Sequence, residues 1–268
     1  MYSESVTSPA NAKFKLLLSL REQSRERTEK GLFVVEGRRE LEHCIEGGFT
    51  VDTVFACDEI LGGDLPENWN FLPGDVRIIH IPKAMYAKAT CREGTEGVIA
   101  EVRAAGRDLS GVKLPENPLI VVLEGVEKPG NIGAVLRSAD AAGVDAVLVC
   151  DPLTDLYNPN LIRASIGGVF TSMVFACTSQ EAYNWLKENG FQILTAQLQD
   201  SQPYYSVDMT SKTAIVFGTE ADGLTDFWRE RSDRKIIIPM LGTLDSLNVS
   251  ASVAILSYEA VRQKMSRQ

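Results

Sequence analysis

From residue 119 onward, apolar runs too continuous for half-exposed strands alternate with polar, glycine-bearing turns. LIVVLEG, VDAVLVC, VFTSMVFAC, FQILTAQ, TAIVFG and KIIIP predict six strands buried on both faces, the pattern of a parallel sheet. Helical periodicity lies between them. Asn131 is placed as the N-cap of a helix whose Ile132, Val135, Leu136 and Ala139 fall at i, i+3, i+4 and i+7 and mark its inner face, leaving Arg137 outside. Thr178 and Glu181 form a capping box for a helix that ends at Gly190, and TDFWRERSD is amphipathic. A last helix over about 247–264 carries the apolar stripe Val249, Val253, Leu256 and Ala260, which fits either a partner or the sheet.

The first hundred residues are patterned differently. A polar helix over 10–30 turns Leu16, Leu17 and Leu20 inward, and LFVVEG, TVDTVFAC, VRIIHIP and GVIAEVR read as four strands. RRELEHCIEGG and PKAMYAKATC are helices between them, and 61–75, rich in Gly, Pro, Asn and Asp, is a loop. The fold class expected is therefore α/β throughout: a smaller N-terminal α/β sandwich, residues 1–105, a polar linker, 106–117, and a C-terminal domain with a parallel sheet, 118–268.

Small and polar residues crowd three strand-to-helix junctions of the second half, where backbone N–H groups and helix N-termini face a ligand crevice. The junctions hold Asn131, Gly133 and Arg137; then Gly218, Glu220, Gly223 and Leu224; then Pro239, Met240, Gly242, Ser246, Leu247, Asn248, Val249 and Ser250. In order, they read N-x-G-x-x-x-R, G-x-E-x-x-G-L and P-M-x-G-x-x-x-S-L-N-V-S, and over residues 119–264 the chain resembles the SpoU (TrmH-like) branch of the SPOUT RNA methyltransferases. One departure is Thr219, where many members have Asn. More loosely, the first domain is similar to the ribosomal-protein-like RNA-binding domain that many SpoU methyltransferases of ribosomal RNA carry.

The resemblance implies a deep trefoil knot in the C-terminal domain and methyl transfer from S-adenosylmethionine to a ribose 2′-hydroxyl of RNA, ribosomal RNA before transfer RNA. It implies catalytic roles for Arg137, Asn131, Glu220, Ser246 and Asn248. Arg137 is expected to anchor a phosphate and the developing alkoxide, because a guanidinium gives up its proton very reluctantly. Cofactor contacts are expected from Leu198, Gly218, Ile238, Met240 and Leu247, and a homodimer through the C-terminal domain.

Composition narrows the rest. The net charge is −9, yet residues 1–40 hold eight Lys/Arg against six Asp/Glu. Arg25, Arg27, Arg38 and Arg39 are the candidate RNA contacts, with a solvated helix face equally compatible. Five scattered cysteines without a C-x-x-C pair and two histidines argue against a disulfide framework and against a metal. With no apolar run of membrane-spanning length and no signal-peptide core at the N-terminus, a cytoplasmic protein with no membrane partner is expected. Two rivals remain. A nicotinamide-dependent dehydrogenase would use Gly130, Gly133 and Asp151, but Lys128 breaks the G-x-G-x-x-G spacing; a non-catalytic RNA-binding protein on the same fold would not need the intact Asn131, Arg137, Glu220 and Asn248 set.

Overall fold

Seventeen residues from the middle of the second half pack with the first half of the chain. A computed structural model describes residues 2–63, 69, 71–91, 96–112, 114–171 and 173–266, so the loop read at 61–75 and the linker lie partly outside it. One unit comprises residues 1–106 with 155–171, and the other 107–154 with 172–268. Each has its own sheet.

The first unit contains β1 (Tyr2–Ser5), α1 (Ala12–Glu22), α2 (Ser24–Lys30), β2 (Leu32–Glu36), α3 (Arg38–Glu46), β3 (Val51–Ala56), α4 (Asp58–Leu61), β4 (Arg77–His80), α5 (Lys83–Ala89) and β5 (Val98–Arg103). The strands lie in the order β1-β4-β3-β5-β2, with β1, β4 and β3 parallel and β5 antiparallel to both β3 and β2. The helix expected over 10–30 is two helices, because Gln23 adopts an extended backbone between them. Phe14, Leu17 and Leu20 are fully buried, each worth about 1.5–3 kcal/mol of transfer free energy. Neither β1 nor α4 was expected; four residues apiece are too short for a period to show.

The second unit begins with β6 (Leu119–Glu124), α6 (Pro129–Ala141) and β7 (Ala146–Cys150). Then α7 (Pro159–Ala164) and α8 (Gly168–Thr171) pack within the first unit. There the Tyr157 ring stacks on Phe33 with centroids 4.4 Å apart, and Phe170 lies 5.2 Å from Phe49 and 5.7 Å from Phe33. The strand expected from VFTSMVFAC is accordingly shorter. Gly167 at φ 76° starts a helical turn that turns Phe170 into this aromatic cluster, and β8 is only Val174–Cys177.

The remaining elements are α9 (Ser179–Glu188), β9 (Gln192–Ala196), β10 (Gln202–Pro203), β11 (Thr213–Phe217), α10 (Asp226–Arg231), β12 (Arg234–Ile237) and α11 (Val249–Met265). All seven strands are parallel, in the order β10-β12-β9-β11-β6-β7-β8. Every residue of β6, β7 and β11 is buried, which is why their sequences do not alternate. From β12, outboard of β9, the chain returns to α11, which packs on α6 and touches β6 and β11. That crossing is where the expected knot would close. The stripe Val249, Val253, Leu256 and Ala260 is buried by this packing and is spent inside the chain.

All five cysteines are free thiols: Cys44, Cys57 and Cys150 are buried, Cys177 is half-buried and Cys91 exposed. Among the described residues no helix is long and apolar enough to cross a membrane, and no cluster of three His, Cys, Asp or Glu could hold a metal.

Candidate active site

After β11 the chain folds back on itself. Thr219 N–H donates to Gly223 O (3.0 Å), Gly223 N–H to Thr219 O (3.2 Å), and Asp222 N–H to the Thr219 hydroxyl (3.0 Å). Residue 218 must be glycine for this closure. A Cβ there would stand 2.2 Å from the Gly223 carbonyl carbon and oxygen and 2.4 Å from Leu224 N, and Gly223 itself lies at φ 69°. The far end of the loop is tied to the sheet. Buried Glu124, closing β6, accepts from both Thr225 N–H (2.9 Å) and Thr225 Oγ1 (2.6 Å), so Thr225 caps α10 without spending its hydroxyl on the helix.

This loop, the segment after β9 and the segment after β12 enclose a cavity of about 330 Å³ over the carboxyl ends of three strands. All five residues expected to contact a cofactor, Leu198, Gly218, Ile238, Met240 and Leu247, line it, as do Glu220 and Ser246. The lining suits a nucleoside joined to an amino acid. Apolar Ile238, Met240 and Leu247 offer van der Waals contact, exposed loop backbone offers polar edges, and Glu220, Asp222 and Asp245 supply negative charge for a cation.

At the mouth of the cavity Glu220 gathers a polar cluster. Its carboxylate accepts from Lys128 Nζ (2.7 Å), Asn131 Nδ2 (3.0 Å) and Asn248 Nδ2 (2.6 Å), and Asn248 Nδ2 also reaches Asn131 Oδ1 (3.2 Å). The hydrogen bond from Lys128 comes first among the causes that hold Glu220 below the ordinary carboxylate range, followed by the lysine's charge and the two amides. Asn248 uses both ends of its amide. Its oxygen caps α11, accepting from Ser250 N–H (2.9 Å) and Ser250 Oγ (2.6 Å), while its nitrogen faces the cluster. Ser246 Oγ donates to Asp245 (3.0 Å).

Two expectations need correction, those for Asn131 and Arg27, while Arg137 keeps its expected place on the helix surface. Asn131 does not cap α6. Pro129, with φ preset and no N–H to satisfy, starts the helix with Lys128 as its N-cap, three residues earlier, which frees the Asn131 side chain for Glu220. Arg137 is exposed on α6, does not line the cavity, and makes no hydrogen bond or ion pair among the described residues. It lies about 9 Å further along the helix axis than Asn131 and about 120° round it. Arg27 does not face solvent. It is 5 % exposed, its Nε and Nη2 pair with Asp155 (3.3 and 2.6 Å), and its Nη1 donates to the carbonyls of Leu20 (2.7 Å) and Arg21 (3.2 Å).

The other candidate RNA contacts remain at the surface of the first unit. Arg25 pairs with Glu29 at i,i+4 and Arg39 is exposed. Arg38 pairs with Glu42 and lies 5.6 Å from the centroid of the Trp69 ring and 5.7 Å from that of Phe71. Sequence reasoning missed Glu124, Lys128 and Arg229, the last of which lines the cavity from α10. A signal for Arg229 exists. Helical side chains lean toward the N-terminus, and α10 starts directly after the glycine loop.

A parallel sheet with a mixed apolar and acidic cavity over its carboxyl ends defines an α/β enzyme that binds a nucleotide-like cofactor. The chain belongs to the SpoU rRNA Methylase family, whose pattern residues 118–258 match, and residues 11–100 match the MRM3-like substrate binding domain. It is thus an RNA methyltransferase with S-adenosylmethionine as methyl donor. The 23S rRNA (guanosine-2′-O-)-methyltransferase RlmB of Escherichia coli (strain K12) is 35 % identical over 176 residues, 63 % of this chain and 72 % of the relative. A crystal structure described as an RNA 2′-O ribose methyltransferase matches with TM-score 0.81 and 36 % identity, covering 98 % of this chain and 100 % of the other. The SpoU methyltransferase AviRb from Streptomyces viridochromogenes, solved in complex with the cofactor AdoMet, matches with TM-score 0.85 and 26 % identity over 96 % of this chain and 100 % of its own.

Proposed function

We propose that this chain methylates a ribose 2′-hydroxyl of ribosomal RNA in the cytoplasm, as a homodimer joined through its seven-stranded unit. The observation that carries the reading is the polar cluster of Glu220, Asn131, Asn248 and Lys128 at the mouth of a cavity lined by Leu198, Gly218, Ile238, Met240 and Leu247. S-adenosylmethionine supplies a methyl group already activated on a sulfonium. The protein's work is to bring the hydroxyl into line with that methyl group and to stabilise the alkoxide as its proton leaves. Glu220, held ionised by Lys128, is a weak base and serves to fix the two amides. Asn131, inside the first turn of α6, then orients the ribose, and Ser246 and Asn248 complete the polar rim.

Arg137 fits this scheme through the dimer. Exposed and absent from the cavity of its own chain, it would reach the ribose bound at the second copy, as phosphate anchor and alkoxide partner. Ile255 and Tyr258, exposed on α11 beyond its buried stripe, supply apolar surface for that contact. Mixing Arg137→Ala with Gly218→Ala protein tests this directly: heterodimers regain methyl transfer that neither variant shows alone, and no recovery means that Arg137 acts in its own chain or not at all. Arg25, Arg38 and Arg39 on the first unit would hold the RNA backbone. Mapping 2′-O-methylated positions in ribosomal RNA from cells with and without the protein tests the substrate. A single ribose should lose its methyl group, and loss in transfer RNA instead would redirect the assignment.

A further inference from the structure

Beyond the residues already given roles stands Arg229. Its guanidinium offers five N–H donors and makes one long hydrogen bond, Nη2 to Asp222 O at 3.5 Å; Nε is buried without a partner, and no carboxylate lies within ion-pairing distance among the described residues. An under-used guanidinium in a cavity wall calls for an anion. The other charges in the lining sharpen this: Glu220, Asp222 and Asp245 are acidic, and Arg229 is the one cation among the described lining residues. Glu220 does not compete for it, being engaged by Lys128, Asn131 and Asn248.

S-adenosylmethionine carries the matching set. Its sulfonium and α-ammonium are positive and its α-carboxylate is its only negative group. We infer that Arg229 binds the α-carboxylate of the methionine moiety, and so sets which way the sulfonium faces. The local fold prepares the contact. Arg229 N–H donates to Thr225 O (3.2 Å) one turn back in α10, and its side chain leans over the glycine loop, where an added Cβ on Gly223 would come to 3.5 Å from Nη2. Arg229 is a cofactor-positioning residue on this reading, which rests on the cavity being the S-adenosylmethionine site.

Calorimetry on the full chain with S-adenosylmethionine and with decarboxylated S-adenosylmethionine tests it. The wild type should prefer the carboxylate-bearing form by about tenfold or more, as expected for a charge-assisted guanidinium–carboxylate pair. Arg229→Met should bind the decarboxylated form as the wild type does and lose the preference, and Arg229→Lys should restore part of it. Equal wild-type affinity for the two ligands overturns the assignment without any variant, while leaving the cofactor site in place. Equal weakening of both ligands by Arg229→Met also overturns it, making Arg229 a support for the loop. If the wild type binds neither ligand, the cofactor site fails and the assignment with it.

Discussion

Each unit of the molecule holds a glutamate whose pKa is displaced from its ordinary value, and in opposite directions. Glu101 sits mid-strand in β5, 4 % exposed with Oε1 unpartnered; burial first, and then the charge of Asp52, pushes its pKa up to about 8. Glu220 stands at the mouth of the cavity in the seven-stranded unit, where Lys128 and two amides hold its pKa down. One is a neutral group in a core, the other a charge kept for use. What separates them is partners rather than residue type, since desolvation acts against the charge of both.

The strongest test of the functional side of this contrast is Gly218→Ala. Its Cβ would collide with the backbone of Gly223 at 2.2 Å, so the loop must open, and S-adenosylmethionine affinity should fall by about 100-fold or more by calorimetry. On the structural side, Arg27→Ala strands the partly buried Asp155 and two carbonyls. It should cost about 2–4 kcal/mol in denaturant unfolding, with cofactor affinity unchanged. Glu101→Gln comes next. Because the folded pKa of Glu101 lies above its unfolded value, the wild type loses stability as pH rises from about 4.5 toward about 8; the variant should lack that slope and gain on the order of 2 kcal/mol at pH 8. Lys128→Met is a subtler change. Glu220's depressed pKa keeps the cluster intact until pH falls through it, so removing the lysine should shift the acid limb of cofactor binding to higher pH. Arg25→Ala should be the smallest, with stability within about 0.5 kcal/mol and a shallower salt dependence of RNA binding.

The junctions around the cavity were legible as strand-to-helix turns crowded with small and polar residues, and the family resemblance supplied the cofactor contacts. Gly218 is forced by a close approach, Asn248 by the start of α11, and the all-apolar strands by burial on both faces. Arg27 was illegible for the opposite reason. Its partner Asp155 is 128 positions away, in a segment that leaves the second unit to pack in the first, and no local pattern announces such a pairing. Arg137 was legible as an exposed side chain, and the structure keeps it at the surface of α6, outside the cavity lining. For Asn131, Pro129 outweighed a good capping residue, moving the cap three positions back to Lys128 and releasing the amide to Glu220.

The most direct measurement is transfer of labelled methyl from S-adenosylmethionine to ribosomal RNA from cells lacking this protein, followed by alkaline hydrolysis. The account predicts label confined to one alkali-resistant dinucleotide, the product left by a 2′-O-methyl group, and its disappearance with Gly218→Ala. Label on a base, or none with intact cofactor binding, would contradict it.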